Sequence, residues 1–113
     1  MDTNNLVLLR GTITNEPVER TLASGDTVTH VELSTEVDGR SVTVPVAVLD
    51  RAVTVGAGDT VVAVGYVRRR FFRAGGVTQS RTEVVTSDVI KASRRRTVQR
   101  VIDGVIDTIG RDD

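Results

Sequence analysis

Arginine and phenylalanine are concentrated in one stretch, Val61–Val85. Phe71 and Phe72 are two of the three aromatic residues in this 113-residue chain, and Arg68, Arg69, Arg70, Arg73 and Arg81 stand around them. The stretch reads as one long β-hairpin, with Ala74-Gly75-Gly76 as its turn. Rings on such a hairpin can stack on flat bases, and guanidinium groups can hold phosphates. The pattern therefore suits a flexible, anionic, base-bearing strand. It also fits a plain surface hairpin with a solvated charge run, and the rest of the chain has to decide between the two.

Other chemistries have little to work with. The chain has no cysteine, so no disulfide framework and no thiolate metal site is expected. His30 is the only histidine and has no acid–base partner in the pattern, and the acidic residues are scattered without metal-ligand spacing. No nucleophile elbow, phosphate-binding loop or zinc pattern is found. Neither an enzyme nor a cofactor is expected.

The formal net charge is zero, but it is unevenly distributed. Residues 1–60 carry four arginines against nine acidic residues, a net of −5, and residues 61–113 carry eleven basic against six acidic, a net of +5. Between 68 and 100 there are ten basic and two acidic residues, so +8. Charge acts over about 8 Å at physiological salt, so a local basic block can bind a polyanion on a neutral protein. No apolar run is long enough to span a bilayer. The polar start, residues 1–5, is unlike a signal peptide. A cytoplasmic, nucleoid-associated location is the expectation.

Valine and threonine dominate, which favours strands. Leu6–Ile13 reads as the first strand, broken at Asn15-Glu16-Pro17, and Val18–Leu22 as a short extended return. In Thr27–Val37, Val28 falls out of parity with Val31, Leu33 and Thr35, which predicts a bulge or edge shift near Thr29. Asp38-Gly39 signals a tight hairpin into Arg40–Leu49. Pro45 on that strand predicts an edge or bulge position. Asp50–Val55 reads as a single helical turn, Thr60–Arg70 as the next strand and Val77–Ile90 as the last. Five strands with a brief helical break between the third and fourth is the order of an OB-fold barrel, with a generic barrel or sandwich as the alternative. After Lys91-Ala92-Ser93, the residues Val98, Val101, Ile102, Val105, Ile106 and Ile109 mark an amphipathic helix over 97–109. The expected organisation is an all-β five-stranded OB-fold over 1–91, then a linker and C-terminal amphipathic helix over 92–113.

At this point the chain resembles the bacterial single-stranded DNA-binding protein family, as a short, divergent member. Asn5-Leu6-Val7-Leu8-Leu9-Arg10-Gly11-Thr12-Ile13 through Asn15-Glu16-Pro17 to Arg20 fits the family's strand, glycine, acidic-proline and arginine pattern. Ser24-Gly25, Val28 and Val31–Thr35 continue it. Gly58-Asp59-Thr60-Val61 to Gly65-Tyr66-Val67-Arg68 fits a second segment, and Thr82–Val85 fits the last strand. The resemblance covers roughly residues 4–90. It implies single-stranded DNA binding with little sequence preference, in replication, recombination or repair, by a homo-oligomer (dimer or tetramer). The departures are specific. The family's aromatic positions along the DNA path fall on Phe72, Val44 and Asp50, and the chain has no tryptophan. The family's acidic tail with its terminal Pro-Phe is replaced by Arg94-Arg95-Arg96 and the apolar-striped helix.

Strand parity sorts the candidates. Tyr66, Arg68, Arg70 and Phe72 point one way, and Val67, Arg69, Phe71 and Arg73 the other. Val61, Ala63, Gly65 and Val67 suit the barrel interior. Val62, Val64 and Tyr66 then form an outward apolar patch, read as oligomer contacts, with cover by the C-terminal helix as the alternative. Arg94, Arg95 and Arg96 oppose the helix dipole and are expected in the linker or against a counter-charge such as phosphate. Arg10, Arg20, Arg40 and Arg51 are isolated and read as surface residues. The nucleic-acid candidates are thus Arg68, Arg69, Arg70, Phe71, Phe72, Arg73, Arg81, Arg94, Arg95 and Arg96. Five engaged arginines would make affinity fall as roughly the −3.5 power of salt, at about −0.7 per phosphate. Two other readings stay open: an OB-fold oligomeric scaffold that docks a protein partner through the 97–109 helix, and an RNA-binding or replication-restart factor. A contiguous groove joining Arg68–Arg73 and Arg81 to Phe72 favours nucleic acid, and dispersal favours the scaffold.

Overall fold

Valine at every second position from Val42 to Val48 makes a strand that can bury one face without burying a polar side chain. The computed structural model, which describes residues 4–51 and 53–110, places Val46 and Val48 fully inside, while Val42 at the strand's start is open. The elements are β1 (Val7–Ile13), β2 (Val18–Thr21), β3 (Thr27–Val37), β4 (Arg40–Leu49), β5 (Thr60–Ala74), β6 (Val77–Lys91) and α1 (Arg95–Ile109).

Five strands close on themselves. β1 pairs with β5, β5 with β6, and β4 with β3, all antiparallel; β6 runs parallel to β4 over Val46–Val48. β3 returns to β1 through Thr12↔Ser34 and Ile13↔Leu33, which completes the barrel. β2 lies on the remaining edge of β3. This is an OB-fold barrel with a C-terminal helix. Its core is aliphatic: Ile13, Val31, Leu33, Val46, Val48, Val61, Ala63 and Val84 meet inside. Asn5 extends the β1 edge, because its side-chain amide donates to the Val67 carbonyl (2.9 Å) and accepts from the Val67 N–H (3.0 Å).

The Asp38-Gly39 hairpin forms with φ of 51° and 77°, the paired positive values that a tight two-residue turn demands. Pro45 faces Glu32 on β3 and lies just before the β4–β6 pairing begins, so its missing N–H costs no ladder bond there.

Four local expectations are corrected. The bulge near Thr29 is absent: β3 and β4 pair without a shift from Val28↔Leu49 to Val37↔Arg40. Val28 simply lies on the outer face, where Leu22 and Leu49 line the same hollow. The irregularity falls instead between Ala63 and Gly65 on β5, opposite Thr86–Asp88. There the Thr86 hydroxyl lies 2.7 Å from the Val64 carbonyl and 2.8 Å from that of Asp88, and accepts from the Asp88 N–H. Second, the helical turn at 50–55 does not form among the described residues (Ala52 lies outside them). Asp50, at φ 53°, turns the chain out of β4 in the left-handed region instead. Third, Val62 is only 4% exposed, because it is hemmed between Arg10 of β1 and Ile90 of β6 in the middle of the sheet. Fourth, Arg95 and Arg96 belong to the first turn of α1 and not to the linker.

Helix α1 forms on the stripe that the sequence predicts, yet none of its residues is buried, and Ile106 and Ile109 are 56% and 54% exposed. No helix among the described residues is long and apolar enough to cross a membrane.

Candidate nucleic-acid interface

β5 and β6 outrun the barrel. From Arg68↔Glu83 to Ala74↔Val77 their residues pair only with each other, so this part projects as a two-stranded ribbon. Paired residues share a face. One face carries Arg68, Arg70 and Phe72 with their opposites Glu83, Arg81 and Gln79. The other carries Arg69, Phe71 and Arg73 with Thr82, Ser80 and Thr78.

The first face is organised by a buried acid. The Glu83 side chain is 2% exposed, and its Oε2 accepts from Nη2 of Arg68 at 2.6 Å, while Oε1 lies 3.5 Å from Nε of Arg70. The Nε atoms of Arg68 and Arg70 are buried along with the carboxylate. Burial alone would push the Glu83 carboxyl up. The hydrogen bond from Arg68 and the charge of Arg70 outweigh that and hold it below the usual carboxylate range. Arg70 also lies over the Phe72 ring, 5.1 Å from its centre, within cation–π range. Arg81 reaches down to the barrel, where its Nη2 donates to Oε1 of Glu32 on β3.

The same face continues onto the barrel wall. Arg20, Leu22, Val28, His30 and Leu49 line a hollow of about 260 Å³ together with Arg68 and Arg70. Its floor is aliphatic and its rim cationic. His30 is held below its ordinary pKa, first by burial and then by the charges of Arg70, Arg20 and Arg81, against an upward pull from Glu83. Its surroundings thus favour the neutral imidazole over the charged form.

Of the predicted residues, Arg68, Arg70, Phe72 and Arg81 share one surface. Arg69, Phe71 (66% exposed) and Arg73 lie on the reverse, where the Arg73 guanidinium caps the Gly76 carbonyl. Arg94, Arg95 and Arg96 stand beyond Lys91, at the other end of β6 from the turn. Val64 is half-buried and Tyr66 is 42% exposed, next to Leu8, which pairs with Val64. Sequence reasoning missed Arg20, His30, Leu22 and Leu49 as parts of the hollow, and Glu83 and Glu32 as the acids that position the arginines. The signal for the hollow was present, since Val28 and His30 share the even parity of β3 that faces out.

No family model matches the chain, and no curated protein matches it. Among solved structures, the chain is similar to the Plasmodium falciparum SSB in complex with ssDNA, with a TM-score of 0.66 and 21% identity over 80% of this chain and 96% of that one. At this identity the likeness is one of fold, and it agrees with the barrel described above.

Proposed function

We propose that the chain binds single-stranded DNA with little sequence preference, through the ribbon face of Arg68, Arg70, Phe72 and Arg81. The observation that carries this is the continuity of that face with the Arg20–His30–Leu49 hollow. A strand laid there meets guanidinium groups for its phosphates and apolar floor and ring surface for its bases, the two contacts that sequence-tolerant binding needs. The fold likeness to a protein solved with ssDNA supports the choice of ligand. The mechanism is sequestration and display of the strand, with no bond made or broken, in the service of replication, recombination or repair. Arg69, Phe71 and Arg73 would then touch a strand only by way of the ribbon's reverse side. Val64 and Tyr66, with Leu8, are the accessible apolar residues for homo-oligomer contact, and Val62 supports them from within. A cytoplasmic, nucleoid-associated place follows from this reading.

Fluorescence anisotropy with labelled oligo-dT, oligo-U and duplex at two salt concentrations tests it. Tight low-salt binding of oligo-dT with weak duplex binding is expected. A preference for oligo-U moves the reading to RNA, and no binding of any strand overturns it.

A second reading is favoured by one observation, the open apolar stripe of α1. A scaffold that docks a protein partner by this helix would retain that partner after the ribbon arginines are neutralised.

A further inference from the structure

A second cluster of cations lies at the foot of α1. Arg10 of β1, Lys91 at the end of β6 and Arg95 of α1 line one hollow of about 450 Å³, floored in part by Ser93. On the other side of Lys91, Arg94 and Arg51 line an adjoining hollow of about 350 Å³. Among the described residues, no ion pair involves Arg10, Lys91, Arg94 or Arg95. Each hollow holds one acid: Asp59 lines the first and accepts from the Gly56 N–H at 2.9 Å, and Asp88 lines the second and pairs with Arg51 at 3.3 Å.

This placement works against the fold. Arg95 and Arg96 occupy the first helical turn, which contains no acidic residue, and cations there are opposed by the helix dipole. Three cations converge on one hollow that holds a single acid, Asp59, which pairs with none of them. A sequence that breaks local rules in this way generally does so for function.

We propose that Arg10, Lys91 and Arg95 form a second phosphate contact, which holds a nucleic-acid strand after it leaves the ribbon. The inference rests on the ssDNA reading of the ribbon. β6 joins the two sites: from Arg81 to Lys91 it spans up to roughly 30 Å, at about 3.3 Å per residue. One OB-fold engages about 4–16 nucleotides, so a long strand reaches both sites and a short one only the first.

The test measures the salt dependence of anisotropy for labelled oligo-dT of about four and about sixteen nucleotides. Wild type is compared with Arg10→Ala/Lys91→Ala/Arg95→Ala, three exposed positions, with an unchanged thermal melt as the check that the variant is folded. For the long strand, the log–log slope should shrink by about 2, three phosphates at about −0.7 each. The short strand should bind the variant as it binds wild type. Arg10→Lys/Arg95→Lys, which keeps the charges, should restore the long-strand slope. An unchanged long-strand slope, or an equal loss at both lengths, overturns the proposal. So does lost capture of polyglutamate with an unchanged oligo-dT slope, which would assign the hollow to an acidic protein segment. If wild type binds neither length, the ribbon reading fails and this inference fails with it. If wild type binds both and only the variant result is negative, the ribbon reading stands alone.

Discussion

Arg68 donates from Nη2 to Oε2 of Glu83 at 2.6 Å, and that carboxylate is 2% exposed while the arginine side chain is 38% exposed. The buried acid thus anchors a guanidinium whose outer edge remains in solvent. With Arg70 on the other oxygen, the triad fixes two cations on one ribbon face at the expense of desolvating one charge.

The triad separates stability from binding. Glu83→Leu alone leaves two guanidinium groups without their acid and should cost about 3 kcal/mol, the low end for a broken buried pair because both arginines are partly solvated. The apolar replacement Arg68→Met/Glu83→Leu/Arg70→Met should match wild type or exceed it by about 1 kcal/mol, since the desolvation cost vanishes. Denaturant midpoints at constant slope check both values.

Stability should fall on the acid side in two stages. His30 has its folded pKa below the unfolded value of 6.5, so the unfolded chain takes up its proton first, and stability declines as pH drops through 6.5 toward the folded value. Glu83 is likewise depressed below 4.5, so its contribution is present above 4.5 and is lost as pH falls through the lower folded value. Thermal melts across this range should show the first stage disappear in His30→Gln and the second remain.

Phe72 and Phe71 are neighbours in sequence on opposite faces. Phe72→Ala should weaken oligo-dT binding by about 1–3 kcal/mol, one stacking contact. Phe71→Ala should weaken it by less than half as much. Competition anisotropy at one salt concentration resolves the order.

Gly65 marks the irregular step of β5, and a Cβ there would sit 1.9 Å from the Val85 carbonyl oxygen. Gly65→Ala should destabilise by about 3 kcal/mol or more, because the obstacle is backbone and cannot rotate away. A urea titration would show it as a lowered midpoint.

What could be read before the structure depended on whether the signal was local. Alternating valines, Asp38-Gly39 and the 3.6-residue stripe of α1 act over a few residues, so the strands, their tight turn and the helix were legible. The succession of strands was legible, but the order in which they pair in the barrel was not read from it. The division of Arg68–Arg73 between two faces also followed from parity. What escaped was set by partners distant in sequence. The parity of Val28 pointed to a bulge or edge shift because its neighbours in the hollow, Leu22 after β2 and Leu49 on β4, come from elsewhere in the chain. Val62 was read as open because its cover by Arg10 and Ile90 depends on barrel closure. Arg20 and His30 were read as isolated because the ribbon that meets them lies about 40 residues further on. Glu83 carried no mark in its own neighbourhood, and only pairing with Arg68 shows it as the acid that sets the site.

The central claim is that the ribbon face around Arg68, Arg70 and Arg81 holds the strand. It is tested most directly by titrating salt against labelled oligo-dT for wild type and for the folded Arg68→Met/Glu83→Leu/Arg70→Met variant. Wild type should bind at low salt with affinity falling at about the −3 power or steeper, and the variant should bind more weakly with a slope smaller by about 1.4, two phosphates. Wild type that fails to bind, or a variant that binds with the wild-type affinity and slope, would contradict it.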